Sequence, residues 1–375
     1  MTLSLLKSIS PEAQKDVLEL EQRIDEFTNG KADEERFRAY RLTRGVYGQR
    51  QLGVQMVRIK LPYGKMTGDQ LIRIAELSEQ YTNGNLHTTT RQNIQYHYIK
   101  LKDSPEIWAK LEEEGITTRE ACGNTVRNIT ASATAGIDPQ EPFDISPYAQ
   151  AVFEYFLRNP INQDMGRKIK TAFSSSDDDS AFTYFHDFGF IPKLKEENGQ
   201  QKRGFKVVIG GGLGAQAFIA PTVYEFLPED QLIPFMEGSL RVFDRYGERE
   251  KRFKARMKYL IDEKKGIGLE NFLELVEREK KTLANQSVVI DRNLVVEPSI
   301  PAITELPVVS ITDQEKYNKW LESNVFEQKQ KGYLGIKVKL QLGNINAKPA
   351  KKLARLVKSY LADDIRISVN QGLIL

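Results

Sequence analysis

Cysteine is nearly absent from this chain of 375 residues: Cys122 stands alone. A single thiol excludes an intrachain disulfide, a cysteine-based zinc site and a four-thiolate iron–sulfur cluster built from this chain alone. Three histidines, His87, His97 and His186, leave little for a histidine metal site, and no metal ligand is assigned. No apolar run approaches the roughly 18 residues that span a bilayer, and the first residues lack the apolar core and cleavage site of a secretory signal. An excess of one charge is also missing. Lys and Arg number 54 against 51 Asp and Glu, a net +3, which argues against an extended nucleic-acid-binding stripe. What is present is 40% hydrophobic and 28% charged residues, the composition of a globular protein, at a length of two to three domains of about 100–200 residues. The expectation is a cytoplasmic protein with neither membrane nor nucleic acid as partner.

Residues 11–30 carry apolar and charged residues at helical spacing and end at Gly30. Residues 31–45 are charged and read as a surface arm or short helix, so 1–44 form an N-terminal arm. Residues 52–61 alternate like a half-buried strand, and Pro62-Tyr63-Gly64 marks a turn. Leu71, Ile74, Ala75 and Leu77 share one face of a helix over 67–80. Residues 86–101 are rich in β-branched and aromatic types and read as one strand. Ser104 caps a helix running to Gly115. Strand, helix, strand and helix make an α+β unit. Residues 57–96 align on 336–375 without a gap, with Lys60/Lys339, Leu61/Leu340, Gly64/Gly343, Ala75/Ala354, Leu77/Leu356, Tyr81/Tyr360 and Gln92/Gln371 identical. An internal duplication is predicted. The second copy reaches Leu375, the equivalent of Tyr96, before the helix that follows in the first copy, so the chain is expected to end inside a structural unit.

Between the copies, the pattern predicts a helix over 147–158, strands over 167–174, 181–191 and 205–209, and helices at about 228–246, 247–264 and 268–284. Residues 286–330 contain Pro298, Pro301 and Pro307 and read as a connector.

Four segments could carry chemistry. On a strand over 87–98, Thr89, Arg91, Asn93, Gln95 and His97 would share a face, with Arg91 either an exposed charge or an anion clamp. Small residues around Arg127 suggest a tight loop that presents one guanidinium or leaves it solvated. Lys168 and Lys170 share a strand face; they either protect a solvated edge or hold an anion between them. Phe205 to Ile209 lead into Gly210-x-Gly212-x-x-Ala215, a loose match to the dinucleotide fingerprint. Pro221 follows too early for the helix such a loop requires, and no acid ends a neighbouring strand. The remaining reading is backbone N–H groups approaching a carboxylate or phosphate.

Taken in order, LGVQMVRIKLPYGKMTGDQL (52–71), TTRQNIQYHYI (89–99), ACGNTVRNITA (121–131), MGRKIKT (165–171), FHDFGFIP (185–192), GFKVVIGGGLG (204–214) and RYGEREKRFKARMKYLID (245–262) resemble the siroheme-dependent sulfite and nitrite reductases. The resemblance implies ferredoxin-like half-domains, a "parachute" unit at 45–118 and 331–375, flanking a siroheme-binding α/β domain at 119–285, with 286–330 as connector. It implies an oxyanion bound at siroheme by Arg91, Arg127, Lys168 and Lys170, and cofactor carboxylates approached by Arg58, Gln95, Arg119 and the loop of Gly210, Gly211, Gly212 and Gly214. It also implies six-electron reduction of sulfite or nitrite, fed by ferredoxin or a similar donor through a [4Fe–4S] cluster. The pair Lys168-x-Lys170 is sulfite-like in that family. The family's cluster cysteines follow the second repeat, and this chain has none there, so the expectation for the chain alone is a siroheme-pocket half without turnover. The alternative is a non-catalytic tetrapyrrole-binding or partner-dependent subunit on the same fold.

Overall fold

Short polar side chains decide where several helices begin. Ser10, Asp33 and Thr67 each accept a hydrogen bond from the amide three residues on, satisfying donors that a helix start leaves orphaned. At Thr67 the Gln70 side chain returns the bond, closing a capping box. The computed structural model describes residues 3–214, 216–302 and 309–375. Ala215 of the loose glycine fingerprint, and residues 303–308 of the expected connector with Pro307, lie outside the described residues.

The first stretch contains α1 (Leu3–Lys7), α2 (Pro11–Thr28), α3 (Glu34–Thr43), β1 (Val46–Gly48), β2 (Val54–Ile59), β3 (Lys65–Met66), α4 (Gly68–Tyr81), β4 (Asn85–Thr88), β5 (Ile94–Lys100) and α5 (Ser104–Glu112). The middle contains β6 (Thr130–Ala131), α6 (Ser146–Phe156), β7 (Thr171–Phe173), β8 (Phe188–Glu197), β9 (Gln200–Ile209), β10 (Thr222–Pro228), α7 (Leu232–Tyr246), α8 (Met257–Leu260) and α9 (Leu269–Lys280). The last stretch contains α10 (Gln314–Asn324), β11 (Val325–Glu327), β12 (Leu334–Val338), β13 (Asn344–Asn346), α11 (Ala347–Tyr360), β14 (Ile365–Ile367) and β15 (Leu373–Ile374). Two units result, one of residues 1–122 with 297–375 and one of residues 123–296.

The first unit holds two antiparallel five-stranded sheets, ordered β1-β2-β5-β4-β13 and β11-β12-β15-β14-β3. Each repeat lends one short strand to the other repeat's sheet. Asn344 pairs with His87 as Lys65 pairs with Arg366. The reciprocity extends to single atoms: Gln92 Nε2 donates to the Ile367 carbonyl and Gln371 Nε2 to the Thr88 carbonyl, both at 2.8 Å. Such exchange is the signature of a duplicated unit. The equivalence also starts earlier than residue 57. Strands β1 and β11 correspond, Gln49/Gln328, Gln51/Gln330 and Gly53/Gly332 are identical, and both of those glycines take positive φ, 79° and 86°. Residues 314–327, expected within the connector, therefore form the helix and first strand of the second copy.

The strand expected over 86–101 is a hairpin. Between β4 and β5 the chain reverses through Gln92 at φ 53°, with the Gln92 amide donating to the Thr89 carbonyl at 2.9 Å. The Thr89 hydroxyl donates to Asn93 Oδ1 at 2.6 Å. A left-handed glutamine, where glycine or asparagine usually stands, hid this turn.

The second unit is a mixed sheet ordered β10-β9-β8-β7-β6. Strands β6, β7 and β8 run parallel, while β9 and β10 are antiparallel to their neighbours. Phe173, Phe188, Phe190, Phe205 and Phe235 fill its core, with ring centroids 4.8 Å apart for the stacked Phe173–Phe190 pair. The helix expected over 247–264 is reduced to α8. Glu248 Oε1 accepts from the amides of Glu250 and Lys251 at 2.8 and 3.0 Å, a local bond that competes with helix formation.

Candidate functional site

Strand direction assembles a cationic edge in the second unit. Because β6, β7 and β8 are parallel, their N-terminal ends lie at one edge of the sheet, and antiparallel β9 ends there too. Arg127 precedes β6, Lys168 and Lys170 precede β7, Asp187 precedes β8, and Gly210 follows β9. Backbone bonds fix the loops in register. The Arg127 amide donates to the Ile169 carbonyl at 2.9 Å, the Asp187 amide to the Lys170 carbonyl at 2.9 Å and the Gly210 amide to the Asp187 carbonyl at 2.9 Å. Three of the four expected anion ligands, Arg127, Lys168 and Lys170, are thus neighbours.

Lys168 is the focus of the edge. Burial, then the positive charges of Arg127, Lys170, Arg167 and Arg256, push its ammonium group from 10.5 down to about 8. No hydrogen bond or ion pair of the Lys168 side chain occurs among the described residues. Burial and the charges of Arg252 and Arg256 likewise depress the Arg167 guanidinium. One carboxylate organises this crowd. Asp187 is fully buried and accepts from the Lys170 amide at 2.9 Å and from Arg256 Nη2 and Nε at 2.8 and 3.2 Å. Lys258 is buried with its ammonium group on the Gln216 carbonyl oxygen and 5.0 Å above the Phe218 ring. Sequence reasoning missed Arg167, Asp187, Arg256 and Lys258. The signal for Asp187 was an acid directly before a buried aromatic strand; Arg256 was hidden because its segment read as helix.

The glycine loop does less for an anion than expected. The amides of Gly210, Gly211 and Gly212 donate to the carbonyls of Asp187, His186 and Phe218 at 2.9, 2.8 and 3.0 Å, so these donors are spent. A Cβ on Gly210 would lie 2.2 Å from Ile261 Cδ1, and Gly210 also holds φ 78°. Its identity is explained by packing. Gly214 has open space around it.

In the first unit the register brings Arg58, Gln95, His87 and Asn344 side by side across β2, β5, β4 and β13. With the Gln95 amide oriented to suit its neighbours, its oxygen accepts from Arg58 Nη2 and Nε at 2.5 and 3.1 Å and its nitrogen donates to His97 Nε2 at 3.3 Å. Burial, helped by His87 and Arg58, lowers the His97 pKa and favours the neutral ring that accepts this bond. Arg91 is not part of that row. It sits half-buried on the β4–β5 turn, its amide donating to Thr89 Oγ1 at 3.1 Å. Arg119 also departs from expectation. Its buried guanidinium donates to Asp16 Oδ1 at 2.9 Å and lies 3.8 Å from Glu120. The Asp16 bond ties Arg119 to α2.

Helices and sheets, with cations gathered at one end of the second unit's sheet, define an α+β class. Residues 122–283 match the family described as the nitrite and sulphite reductase 4Fe-4S domain, and residues 47–114 and 326–375 match the nitrite/sulfite reductase ferredoxin-like half domain. The chain belongs to the siroheme-dependent nitrite and sulfite reductase family. It is 33% identical to sulfite reductase (ferredoxin) 1 of Mycolicibacterium paratuberculosis over 60% of this chain and 39% of that protein. It is 29% identical to the assimilatory ferredoxin-dependent nitrite reductase of Haloferax mediterranei over 88% of this chain and 56% of that protein. The structure of the Mycobacterium tuberculosis NirA protein superposes with a TM-score of 0.76 at 24% identity, covering 97% of this chain and 65% of that one, which shows the shared fold. The chain spans about two fifths to just over half the length of the two curated relatives.

The donor sets divide the family's two cofactors. A tetrapyrrole with eight carboxylates suits the cationic edge, where Lys168 and Arg167 form no ion pair among the described residues. A [4Fe–4S] cluster does not fit this chain, because four thiolates are required and Cys122 is the one cysteine. Cys122 is itself buried, 4.0 Å from the Gly45 carbonyl oxygen. Among the described residues no group of three or more His, Cys, Asp and Glu gathers as a metal site, and no helix is long and apolar enough to cross a membrane.

Proposed function

We propose that this chain supplies the siroheme- and oxyanion-binding part of a sulfite or nitrite reductase. The observation that carries the reading is Lys168, a half-buried ammonium among Arg127, Lys170, Arg167 and Arg256, whose pKa is lowered by burial first and then by these charges. Folding gains nothing from this crowding; an anion does. Arginine stays charged and grips oxygen atoms bidentately, whereas a lysine near pKa 8 both binds the anion and releases a proton near neutral pH. Siroheme, when bound, supplies electrons and an iron to which the oxyanion attaches. Arg127, Lys168 and Lys170 orient the oxyanion and neutralise its charge, and the lysines hold the protons that reduction consumes. Arg91 carries the same role by resemblance alone. Arg58 and Gln95, prearranged as a donor row, suit cofactor carboxylates. The Lys168-x-Lys170 pair favours sulfite over nitrite, and the relatives' names point to ferredoxin as electron donor. The one-cysteine composition favours a second reading for the chain alone: it binds cofactor and anion without reducing the anion.

Titrating the purified chain with siroheme tests the proposal. The expected result is a saturable change in the visible spectrum at one cofactor per chain, with a raised Tm. The combined R127Q, K168Q and K170Q variant should lose at least about tenfold in affinity, the order expected when charged hydrogen bonds are removed. An unchanged spectrum and Tm in a folded wild-type chain would overturn it.

A further inference from the structure

Asp187 meets the cationic edge through both its backbone and its side chain. Its amide and that of Phe188 donate to the Lys170 carbonyl at 2.9 and 3.1 Å, and its Oδ2 accepts from the Lys170 amide at 2.9 Å. Both backbone polar groups of Lys170 are therefore held by the residues that open β8. The other carboxylate oxygen, Oδ1, accepts from Arg256 Nη2 and Nε at 2.8 and 3.2 Å. Two N–H groups of one guanidinium on one oxygen fix the plane of Arg256 as well as its position. The pair is shut off from water, with the Asp187 side chain 0% exposed and that of Arg256 12%.

The pieces joined here are far apart in sequence. Lys170 precedes β7, Asp187 precedes β8 and Arg256 precedes α8. The start of α8 is pinned a second time two residues on, where the Lys258 ammonium group rests on the Gln216 carbonyl oxygen. Asp187 is also the acid that faces the neighbouring cations. Burial and then Arg256 depress the Lys258 ammonium, and burial, Arg252 and Arg256 depress the Arg167 guanidinium; Asp187 opposes both. A buried carboxylate beside an anion site repels the anion. Its place is explained if what it holds still helps the anion more than its charge hinders.

We propose that Asp187 and Arg256 are a positioning pair for the oxyanion site: the carboxylate sets the Lys170 backbone and locks the Arg256 guanidinium, so that Lys168 and Lys170 meet the anion in a fixed arrangement. This rests on the reading of the edge as an anion site. Asp187 does not bind the anion; it acts through Lys170 and Arg256.

Coulomb's law and positioning predict opposite signs for one variant. D187N removes a negative charge but keeps an oxygen for the Lys170 amide. Charge alone would tighten sulfate binding; positioning predicts a loss of about tenfold, the order expected when hydrogen bonds to a charged group are removed. R256K keeps the charge but not the paired N–H bonds, and should weaken sulfate by about fivefold or more. In R256K the positive charges facing Lys168, at 127, 167, 170 and 256, are all retained, so the decline in affinity above about pH 8 should stay where it is. The double variant should lose little more than D187N, since both changes break one contact. Calorimetric titration of sulfate into the full chain measures this, with circular dichroism confirming folded variants. Tighter or unchanged binding in folded D187N, or losses that add in the double variant, would overturn the pairing while leaving the anion site intact. Where D187N does not fold, R256K decides, and wild-type affinity in R256K would overturn the pairing. A folded wild type that binds no sulfate would overturn the anion site and the pairing together.

Discussion

A lysine that destabilises its own fold needs a purpose. Lys168 loses a proton more readily than a free lysine because it is half-buried among cations. Its folded pKa is lower than its unfolded one, so unfolding takes up a proton between about pH 8 and 10.5. The penalty is therefore fully present below about pH 8 and is relieved as the pH rises through that window. K168M should raise stability at pH 7 by on the order of 1–2 kcal/mol, a value reduced for partial exposure, and the gain should shrink toward pH 10. The same variant should bind sulfate, whose charge is constant over this range, roughly tenfold more weakly, and should lack the wild-type decline in affinity above about pH 8. Urea unfolding and calorimetric titration at several pH values check both halves. A variant that is neither more stable nor weaker in binding would show that Lys168 is an ordinary surface charge. Asp187 explains why the edge folds at all: one buried carboxylate holds the Arg256 guanidinium and the Lys170 backbone, so the unpaired repulsion is concentrated at Lys168.

Elements with local codes were readable, and elements defined by partners were not. Helix α4 and its repeat α11 were visible because apolar period and repeat identities agree. The β4–β5 turn was not, since Gln92 adopts a left-handed conformation that its type rarely signals and a long-range bond to the Ile367 carbonyl holds it there. Two glycines mark the same exchange from the other side. Gly64 has φ 72° and an added Cβ would lie 2.6 Å from the Ile367 carbonyl oxygen; Gly343 has φ 70° with the Thr88 carbonyl oxygen at 2.7 Å. G64A and G343A should each cost about 2–4 kcal/mol, from positive φ and from the clash. Gly84, at φ 75° with nothing within 4 Å, isolates the conformational part, and G84A should cost only about 1 kcal/mol. Denaturant midpoints of the three variants measure this. Equal costs at all three positions would mean that the close approach between the repeats carries no energy.

At the scale of the whole molecule, charge and composition decide what this polypeptide can and cannot hold. The resemblance in the sequence located three of the edge cations, because MGRKIKT and ACGNTVRNITA are short and contiguous. Two further expectations meet contacts that the sequence did not signal: Arg119 donates to Asp16 in a helix distant in sequence, and the amides of Gly210, Gly211 and Gly212 donate to carbonyls of the chain itself. Both contacts depend on tertiary pairing, which a linear pattern does not carry. The cysteine count, by contrast, needs no structure. The matched family is described by a 4Fe-4S domain, yet one buried thiol cannot replace four ligands. The chain incubated anaerobically with iron, sulfide and siroheme should therefore take up siroheme while retaining no acid-labile sulfide after desalting, and C122S should behave as the wild type does. Four sulfides per chain, lost in C122S, would mean that Cys122 leaves its site beside Gly45 to become a ligand, and the separation of the two cofactors drawn from the donor sets would fail.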